Sequence, residues 1–273
     1  MATILVNGFQ FHVVDEGTGP PVLLLHGFPD TSHLWRDQIA ALVAAGYRAI
    51  APDLRGRGQS SKPPLVEDYA LGAIVGDVAG ILDALGLERA RVVGHDWGAA
   101  VAWALALRYP SLVECLVAIS VPHPGTGGRP TLEQLQKGWY RLLFQFEGLA
   151  EDLLRRDDWY LARTLLQGAR DLDQYLADLG QPGALTPALN WYRANLPPER
   201  LLGPSRPLPP VRMPTLGIFG AGDLYLTEEA MRRSGEFVDA PWRYEVFADS
   251  GHWVPRDEPE RLNALLLDFF GAP

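Results

Sequence analysis

The sequence has little cysteine, no excess of basic residues and no long apolar run, and each of these shortages excludes a class of protein. Cys115 is the single cysteine among 273 residues, so no disulfide can form within the chain. Aspartate and glutamate (33) outnumber lysine and arginine (24), and the net charge of −9 gives the protein no electrostatic reason to bind nucleic acid. No apolar run approaches the roughly 20 residues that cross a bilayer.

The N-terminal residues also lack the basic segment and apolar stretch of a secretion signal. We therefore expect a cytoplasmic protein that binds neither nucleic acid nor membranes. The composition is 47% hydrophobic, which is sufficient for a large buried core. The sequence leaves the oligomeric state open between monomer and homodimer.

Strand and helix signals alternate along most of the chain. Two short alternating runs at the N-terminus read as strands, and continuously apolar strands are predicted at 21–27, 47–53, 90–95 and 113–122, with helices at 31–46, 69–86 and 98–110 between them. The alternation resumes with a strand at 215–223 and ends with a helix at 258–270. Apolar strands joined through helices predict an α/β fold with a parallel sheet covered on both faces.

The alternation is interrupted in the second half of the chain. Residues 125–210 contain amphipathic stretches rich in Leu, Trp, Tyr, Arg and Asp but no buried strand, and the proline-rich "PPERLLGPSRPLPPVRMP" closes the region. We predict a core formed by residues 1–124 and 211–273, with residues 125–210 inserted as a helical cap.

Four loops at predicted strand ends carry residues capable of chemistry. They are "HGFP" (26–29), the turn "GHDWG" (94–98) around Asp96, "GAGDLY" (220–225) with Asp223, and "ADSGHW" (248–253) with His252. Ligands of open α/β sheets bind beyond the carboxyl ends of the strands, and the chain order of nucleophile, acid and histidine is that of α/β hydrolases. His26 is expected to be structural, whereas His123, at another strand end, is a further candidate to line the site.

These motifs resemble those of epoxide hydrolases of the α/β-hydrolase superfamily, in particular the soluble plant and mammalian enzymes. The resemblance covers nearly the whole chain and includes "HGFPDTSHLWRDQI", "APDLRGRGQSSKP", "GHDWGA", "GDLYL" and "SGHWVPRDEP", together with "WYRLLFQFEGLAE" and "LNWYRAN". It implies a mostly parallel eight-stranded sheet flanked by helices. It also implies that Asp96 is the nucleophile and that Tyr140 and Tyr192 reach the site from the cap.

An aspartate at this turn suits attack on a saturated carbon. An ionised carboxylate, with a reference pKa of about 4, needs no base to act as a nucleophile at neutral pH. His252 would then activate water, with Asp223 orienting its imidazole. The backbone N–H groups of Phe28 and Trp97 would form the oxyanion hole. The expected partners are a small apolar epoxide and water.

No cofactor and no metal are expected, because the histidines lack metal-site spacing and no phosphate-binding glycine loop is present. Two other functions stay open. A haloalkane or haloacid dehalogenase also uses an aspartate nucleophile, although Trp97 stands where fluoroacetate dehalogenases carry arginine. The other hypothesis is that the protein is not an enzyme but a ligand receptor or an inactive homologue. The sequence does not specify which epoxide, which ring carbon or which enantiomer reacts, or whether dehalogenase side activity exists.

Overall fold

A single eight-stranded sheet organises the protein. The computed structural model describes residues 2–199 and 208–271. The strands are β1 Ala2–Val6, β2 Phe9–Glu16, β3 Pro21–Leu25, β4 Arg48–Pro52, β5 Ala90–His95, β6 Val113–Ile119, β7 Thr215–Gly220 and β8 Trp242–Phe247. Their order in the sheet is β1-β2-β4-β3-β5-β6-β7-β8. Only the pairings of β1 with β2 and of β2 with β4 are antiparallel among the described strands. The predicted mostly parallel eight-stranded sheet is confirmed.

The inner strands are buried along nearly their whole length, as their continuous apolar sequences predict. Every residue of β7 is buried, and β3, β4, β5 and β6 each contain one partly buried residue. Their carboxyl ends lie along one edge of the sheet. The chemically distinctive loops of the sequence all follow strands at this edge.

Helices outside the β6–β7 connection pack in pairs. These helices are α1 Arg36–Ala44, α2 Leu71–Ala84, α3 Trp97–Arg108, α9 Glu228–Arg233, α10 Val254–Asp257 and α11 Pro259–Phe270. Helix α1 packs against α11 and α2 packs against α3, which matches the predicted α/β-hydrolase arrangement of a sheet flanked by helices.

The residues between β6 and β7, called the insert below, are helical wherever the structure describes regular elements in them. The helices are α4 Leu132–Lys137, α5 Tyr140–Leu143, α6 Leu149–Leu165, α7 Leu172–Gly180 and α8 Leu185–Asn195. The backbone of α6 leaves the helical region at Arg156–Trp159. Part of the predicted proline linker, residues 200–207, lies outside the described residues, and the predicted domain boundaries stay a prediction.

Hydrogen bonds attach α8 directly to the core. The indole N–H of Trp191 donates to the Arg55 carbonyl at 3.0 Å. Asn195 donates to the Tyr69 carbonyl at 2.8 Å and accepts from the Leu71 N–H at 2.7 Å. These bonds fix the position of α8 relative to the sheet.

A buried ion pair joins α8 to the earlier part of the insert. Arg193 binds both carboxylate oxygens of Glu151 at 2.9 Å and also donates to the Phe144 carbonyl. Both side chains of the pair are nearly inaccessible to solvent. Because such a pair is strongly directional, it sets the positions of α5, α6 and α8 relative to one another.

In the described part of the chain, no helix is long and apolar enough to cross a membrane.

Candidate active site

Asp96 lies in a strained turn between β5 and α3. Its φ of 53° and ψ of −124° place a non-glycine residue at positive φ, a conformation that costs free energy and occurs frequently at active sites. The turn also requires glycine nearby, since a Cβ on Gly98 would lie 1.9 Å from the Leu25 carbonyl oxygen. The close approach of α3 to β3 therefore explains the small residue that follows Asp96 and Trp97.

The Asp96 carboxylate is held by one backbone amide and one imidazole. Its Oδ1 accepts a hydrogen bond from the Phe28 N–H at 2.7 Å, and its Oδ2 lies 3.6 Å from Nε2 of His252. Burial opposes the charge of Asp96, but the His252 imidazole and the Phe28 amide outweigh this effect and lower the pKa of the carboxyl. Asp96 is consequently ionised at neutral pH.

His252 connects Asp96 to Asp223. Its Nδ1 lies 2.8 Å from Oδ2 of Asp223, while the other oxygen of Asp223 accepts the backbone N–H groups of Tyr225 and Leu226. Burial disfavours the imidazolium, yet the charge of Asp223 and then that of Asp96 raise the pKa of His252 to about 10. The fold thus brings together the three residues that the sequence predicts as nucleophile, acid and histidine.

Above these residues is a cavity of about 20 Å³, which is room for about one water molecule. Tyr140 of α5 and Tyr192 of α8 both line it with Asp96 and His252, and their ring centroids are 5.8 Å apart. Leu165, Leu166, Phe28, Tyr225 and Trp253 complete the wall. The insert therefore supplies an aromatic and aliphatic wall to the space that the Asp96 carboxylate faces.

The two tyrosines have different neighbours. Burial raises the pKa of Tyr192 well above its usual value, and a side-chain hydrogen bond from Trp97 acts in the opposite direction. Burial also raises the pKa of Tyr140, and here the neighbouring Arg141 guanidinium opposes the shift. Both phenols are therefore protonated at neutral pH, as a hydrogen-bond donor requires.

The two predicted oxyanion-hole residues flank Asp96. The Phe28 N–H already contacts its carboxylate. Trp97 is the first residue of α3, and the N–H groups of a first helical turn have no acceptor within the helix. The Phe28 N–H is therefore at the carboxylate, whereas the part of the Trp97 N–H in an oxyanion hole stays a prediction.

Sequence reasoning missed Tyr225 and Asp30 as members of this region. The Tyr225 ring lies 4.9 Å from that of His252, and its hydroxyl donates to the Leu165 carbonyl at 2.6 Å. Asp30 is fully buried, with one oxygen 3.8 Å from Nδ1 of His95, and burial raises the pKa of its carboxyl to about 7. Tyr225 lies in the motif "GDLYL" and Asp30 lies in "HGFPD". Membership of these motifs is the sequence feature that could have identified both residues.

Other histidines lie outside the cavity. His26 accepts the Leu54 N–H at 3.0 Å, which agrees with its expected structural role. His95 lies behind His252 and contacts the His252 carbonyl at 2.8 Å. His123 stacks on Phe237 and does not line the cavity around Asp96. The sequence had left it as a candidate to do so. Residues 2–199 and 208–271 contain no cluster of His, Cys, Asp or Glu able to hold a metal ion.

A family model described as alpha/beta hydrolase fold matches residues 20–259. The chain belongs to the α/β-hydrolase family. It is 36% identical to the AB hydrolase superfamily protein YfhM of Bacillus subtilis, over 96% of this chain and 95% of that protein. It is 34% identical to Epoxide hydrolase 3 of Xenopus tropicalis, over 96% of this chain and 75% of that protein.

Solved structures extend this similarity to three dimensions. This chain is similar in structure to a mutant epoxide hydrolase from Bacillus megaterium, with a TM-score of 0.88 and 30% sequence identity. That enzyme was crystallised with its product, a naphthyloxy-propane-1,2-diol. The match covers 98% of this chain and 99% of that one. The predicted resemblance to epoxide hydrolases of the α/β-hydrolase superfamily is confirmed.

Proposed function

We propose that this α/β hydrolase converts an epoxide to a vicinal diol through an ester formed on Asp96, beneath a cap made of residues 125–210. The observation that carries the proposal is one small cavity lined by an ionised carboxylate and two buried phenols. The similarity to epoxide hydrolases over nearly the full chain supports it.

In the first step an oxygen of Asp96 attacks one carbon of the epoxide, and the bond from that carbon to the ring oxygen breaks. The product is a 2-hydroxyalkyl ester on Asp96. The ring oxygen leaves as a strongly basic alkoxide, and Tyr140 and Tyr192 supply the hydrogen bonds and the proton that it needs. Displacement at carbon requires these phenols to act from the side opposite the nucleophile, and the fact that both tyrosines line the same cavity as Asp96 supports this role.

In the second step water attacks the ester carbonyl of Asp96. His252 takes a proton from this water, Asp223 stabilises the resulting imidazolium, and the Phe28 and Trp97 N–H groups stabilise the oxyanion. The bond between the carbonyl carbon and the alkyl oxygen then breaks, and the alkyl oxygen takes the second proton of the attacking water. The diol leaves, and Asp96 is again a carboxylate that keeps one oxygen from water.

The charge balance explains how His252 becomes a base only after the first step. In the free protein two carboxylates hold its pKa at about 10, so the imidazole is protonated at neutral pH. Alkylation makes Asp96 a neutral ester and removes one of these charges, which lowers the pKa of His252. The proton that His252 then releases replaces the one that the tyrosines gave to the alkoxide.

Dehalogenation is the alternative use of the same nucleophile, and the neighbours of Trp97 argue against it. A halide leaves as a stable anion and needs N–H donors, of which the Trp97 indole is the candidate side chain. The ring of that side chain instead packs edge-on against the Tyr192 ring, with the ring centroids 5.2 Å apart. Two buried phenols can supply the proton that an alkoxide leaving group needs and that a halide does not need.

A single turnover in heavy-oxygen water tests the ester. With enzyme in excess over styrene oxide, the label should enter the Asp96 carboxylate and be absent from the first diol released. Asp96→Ala is the control and should show neither label nor turnover while remaining folded. Label in the first diol would refute the covalent route.

The His252→Gln variant tests the second step separately. It should form the ester and fail to hydrolyse it, so mass spectrometry should detect a stable adduct on the peptide that contains Asp96. Normal turnover by this variant would show that another group activates water. Assays with styrene oxide, an aliphatic epoxide, a bromoalkane and fluoroacetate, scoring diol and halide separately, decide between the two reactions.

A further inference from the structure

Exposed apolar side chains are concentrated on one stretch of the insert. Twelve large apolar residues are exposed among residues 2–199 and 208–271, and six of them lie in residues 132–149. These six are between 47% and 71% exposed; they are Leu132, Leu135, Trp139, Leu142, Phe146 and Leu149. Apolar residues scattered singly on a surface are ordinary, whereas a concentration of this kind is typical of a contact surface.

The spacing of the six residues places them on one side of the helical segment. They follow one another at intervals of 3, 4, 3, 4 and 3. The backbone forms nearly continuous helical turns over residues 131–146, through α4 and α5, and on such a backbone this spacing describes one face. Tyr140 and Phe144, four residues apart, are buried and define the inner face. The exposed residues therefore form the outer face of the segment that carries Tyr140.

Two further exposed leucines lie alongside this face. Lys137 donates at 2.8 Å to two carbonyls of the loop 223–226, which carries the exposed Leu224. The Gln145 amide donates at 3.2 Å to the carbonyl of Leu196, which is also exposed. We call these two leucines and the six residues of 132–149 the outer patch.

The outer patch has the size of one side of a protein interface. A large apolar residue that is about half exposed presents on the order of 100 Å², so eight of them present on the order of 800 Å². The largest apolar patch of a typical monomer is about 300–600 Å², and a stable interface covers about 800 Å² on each partner. The area is thus sufficient for a stable dimer.

The charges within the patch indicate what kind of partner covers it. Residues 132–149 contain two acidic and two basic side chains, Glu133, Lys137, Arg141 and Glu147. Glu133 and Lys137 lie 3.5 Å from each other. A surface that binds anionic lipid carries an excess of lysine and arginine, which this segment does not have. Because the segment is neutral, two copies of a chain with a net charge of −9 can meet there without strong repulsion.

We propose that the outer patch is a dimer interface, in which the patches of two copies of this chain cover each other around a two-fold axis. Alternating intervals of three and four residues are typical of an apolar seam that packs on a second seam of the same kind. A two-fold dimer provides that second seam, since both subunits contribute the same surface. The inference is independent of the reaction proposed for Asp96.

Sedimentation of the full chain over a range of concentrations tests the interface. We expect a dimer whose Kd is about micromolar or tighter, as interfaces of this area give. Leu142→Glu and Phe146→Glu each place a carboxylate in the patch of both subunits and should raise the Kd at least about 30-fold. Leu65→Glu is the matched control, because Leu65 is 54% exposed and Leu142 57% but Leu65 lies outside the patch. It should change the Kd by no more than about twofold.

Hydrogen exchange of the wild type tests the same surface without a substitution. The backbone amides of residues 132–149 should exchange more slowly above the Kd than below it, whereas those around Leu65 should not change. Melting curves establish that the variants are folded. This measurement decides the question if Leu142→Glu or Phe146→Glu fails to fold.

Three results would overturn the inference. The first is a wild type that stays monomeric at about 100 μM, far above the expected Kd. The second is a dimer that folded Leu142→Glu and Phe146→Glu leave intact, or one that forms without slowing exchange in residues 132–149, since another surface would then join the subunits. The third is a monomer that co-sediments with phosphatidylcholine vesicles through the patch, which would assign the patch to a lipid surface.

Discussion

The tyrosine pair allows the most direct test of how the ring opens. Tyr140→Phe and Tyr192→Phe each remove one hydroxyl from the cavity while keeping the ring that packs there. A hydrogen bond to a developing charge is worth about 1.5–3 kcal/mol, which corresponds to about 10- to 150-fold in rate. Because the two donors partly substitute for each other, each single change should fall near the lower end of this range. The double change should approach the upper end of the about 100- to 10,000-fold range of general acid catalysis.

The structure also supplies a matched control. Tyr225 lines the same cavity, but its hydroxyl is bound to the Leu165 carbonyl, so Tyr225→Phe should leave the ring-opening rate within about threefold. The rate is measured by rapid mixing of excess epoxide with enzyme, using the fluorescence of Trp97 and Trp253 beside the cavity.

The leaving group gives a second control for the same variants. Bromide needs no proton, so any wild-type activity on a bromoalkane should persist in the Tyr140→Phe, Tyr192→Phe double variant. Unchanged epoxide opening in the double variant, or equal losses in Tyr225→Phe and Tyr140→Phe, would refute the assigned roles and favour the dehalogenase reading.

Three further predictions concern stability and the position of the nucleophile. Gly98→Ala should abolish activity and lower the melting temperature, because the new Cβ would lie 1.9 Å from the Leu25 carbonyl oxygen; a fully active variant would contradict the close packing of the turn. Glu151→Gln leaves Arg193 buried without its counter-ion and should lower the free energy of unfolding by about 3–5 kcal/mol, measured by urea denaturation, whereas a loss under about 1 kcal/mol would show that water replaces the pair. The pKa of His252 is raised from 6.5 to about 10, so its contribution to stability is complete below about pH 6.5 and is lost as the pH rises to about 10. His252→Gln should flatten that part of the curve of unfolding free energy against pH, and an unchanged slope would show that His252 is not the titrating group.

Local sequence was sufficient to predict the core and the loops that carry the proposed triad. The continuous apolar runs of the inner strands predict parallel strands, and parallel strands bring their carboxyl ends to one edge. For that reason Asp96, Asp223 and His252 could be named as neighbours without coordinates. Tyr225 was not predicted because a tyrosine two residues after Asp223 looks like part of a turn until the contact with His252 is known.

The order of strands and helices along the chain, the glycine-flanked turn at Asp96 and the residues that follow the strands could all be read from the amino-acid sequence, because they depend on local propensity and on the topology of a parallel sheet. Which side chains share a cavity, and which charges lie next to them, depends on how distant segments pack together. The rings of Tyr140 and Tyr192, distant in sequence, meet at 5.8 Å because α8 is bonded to both the core and the rest of the insert. The raised pKa of His252 likewise arises from neighbouring charges that outweigh burial, and these depend on distances in space that local sequence patterns do not encode.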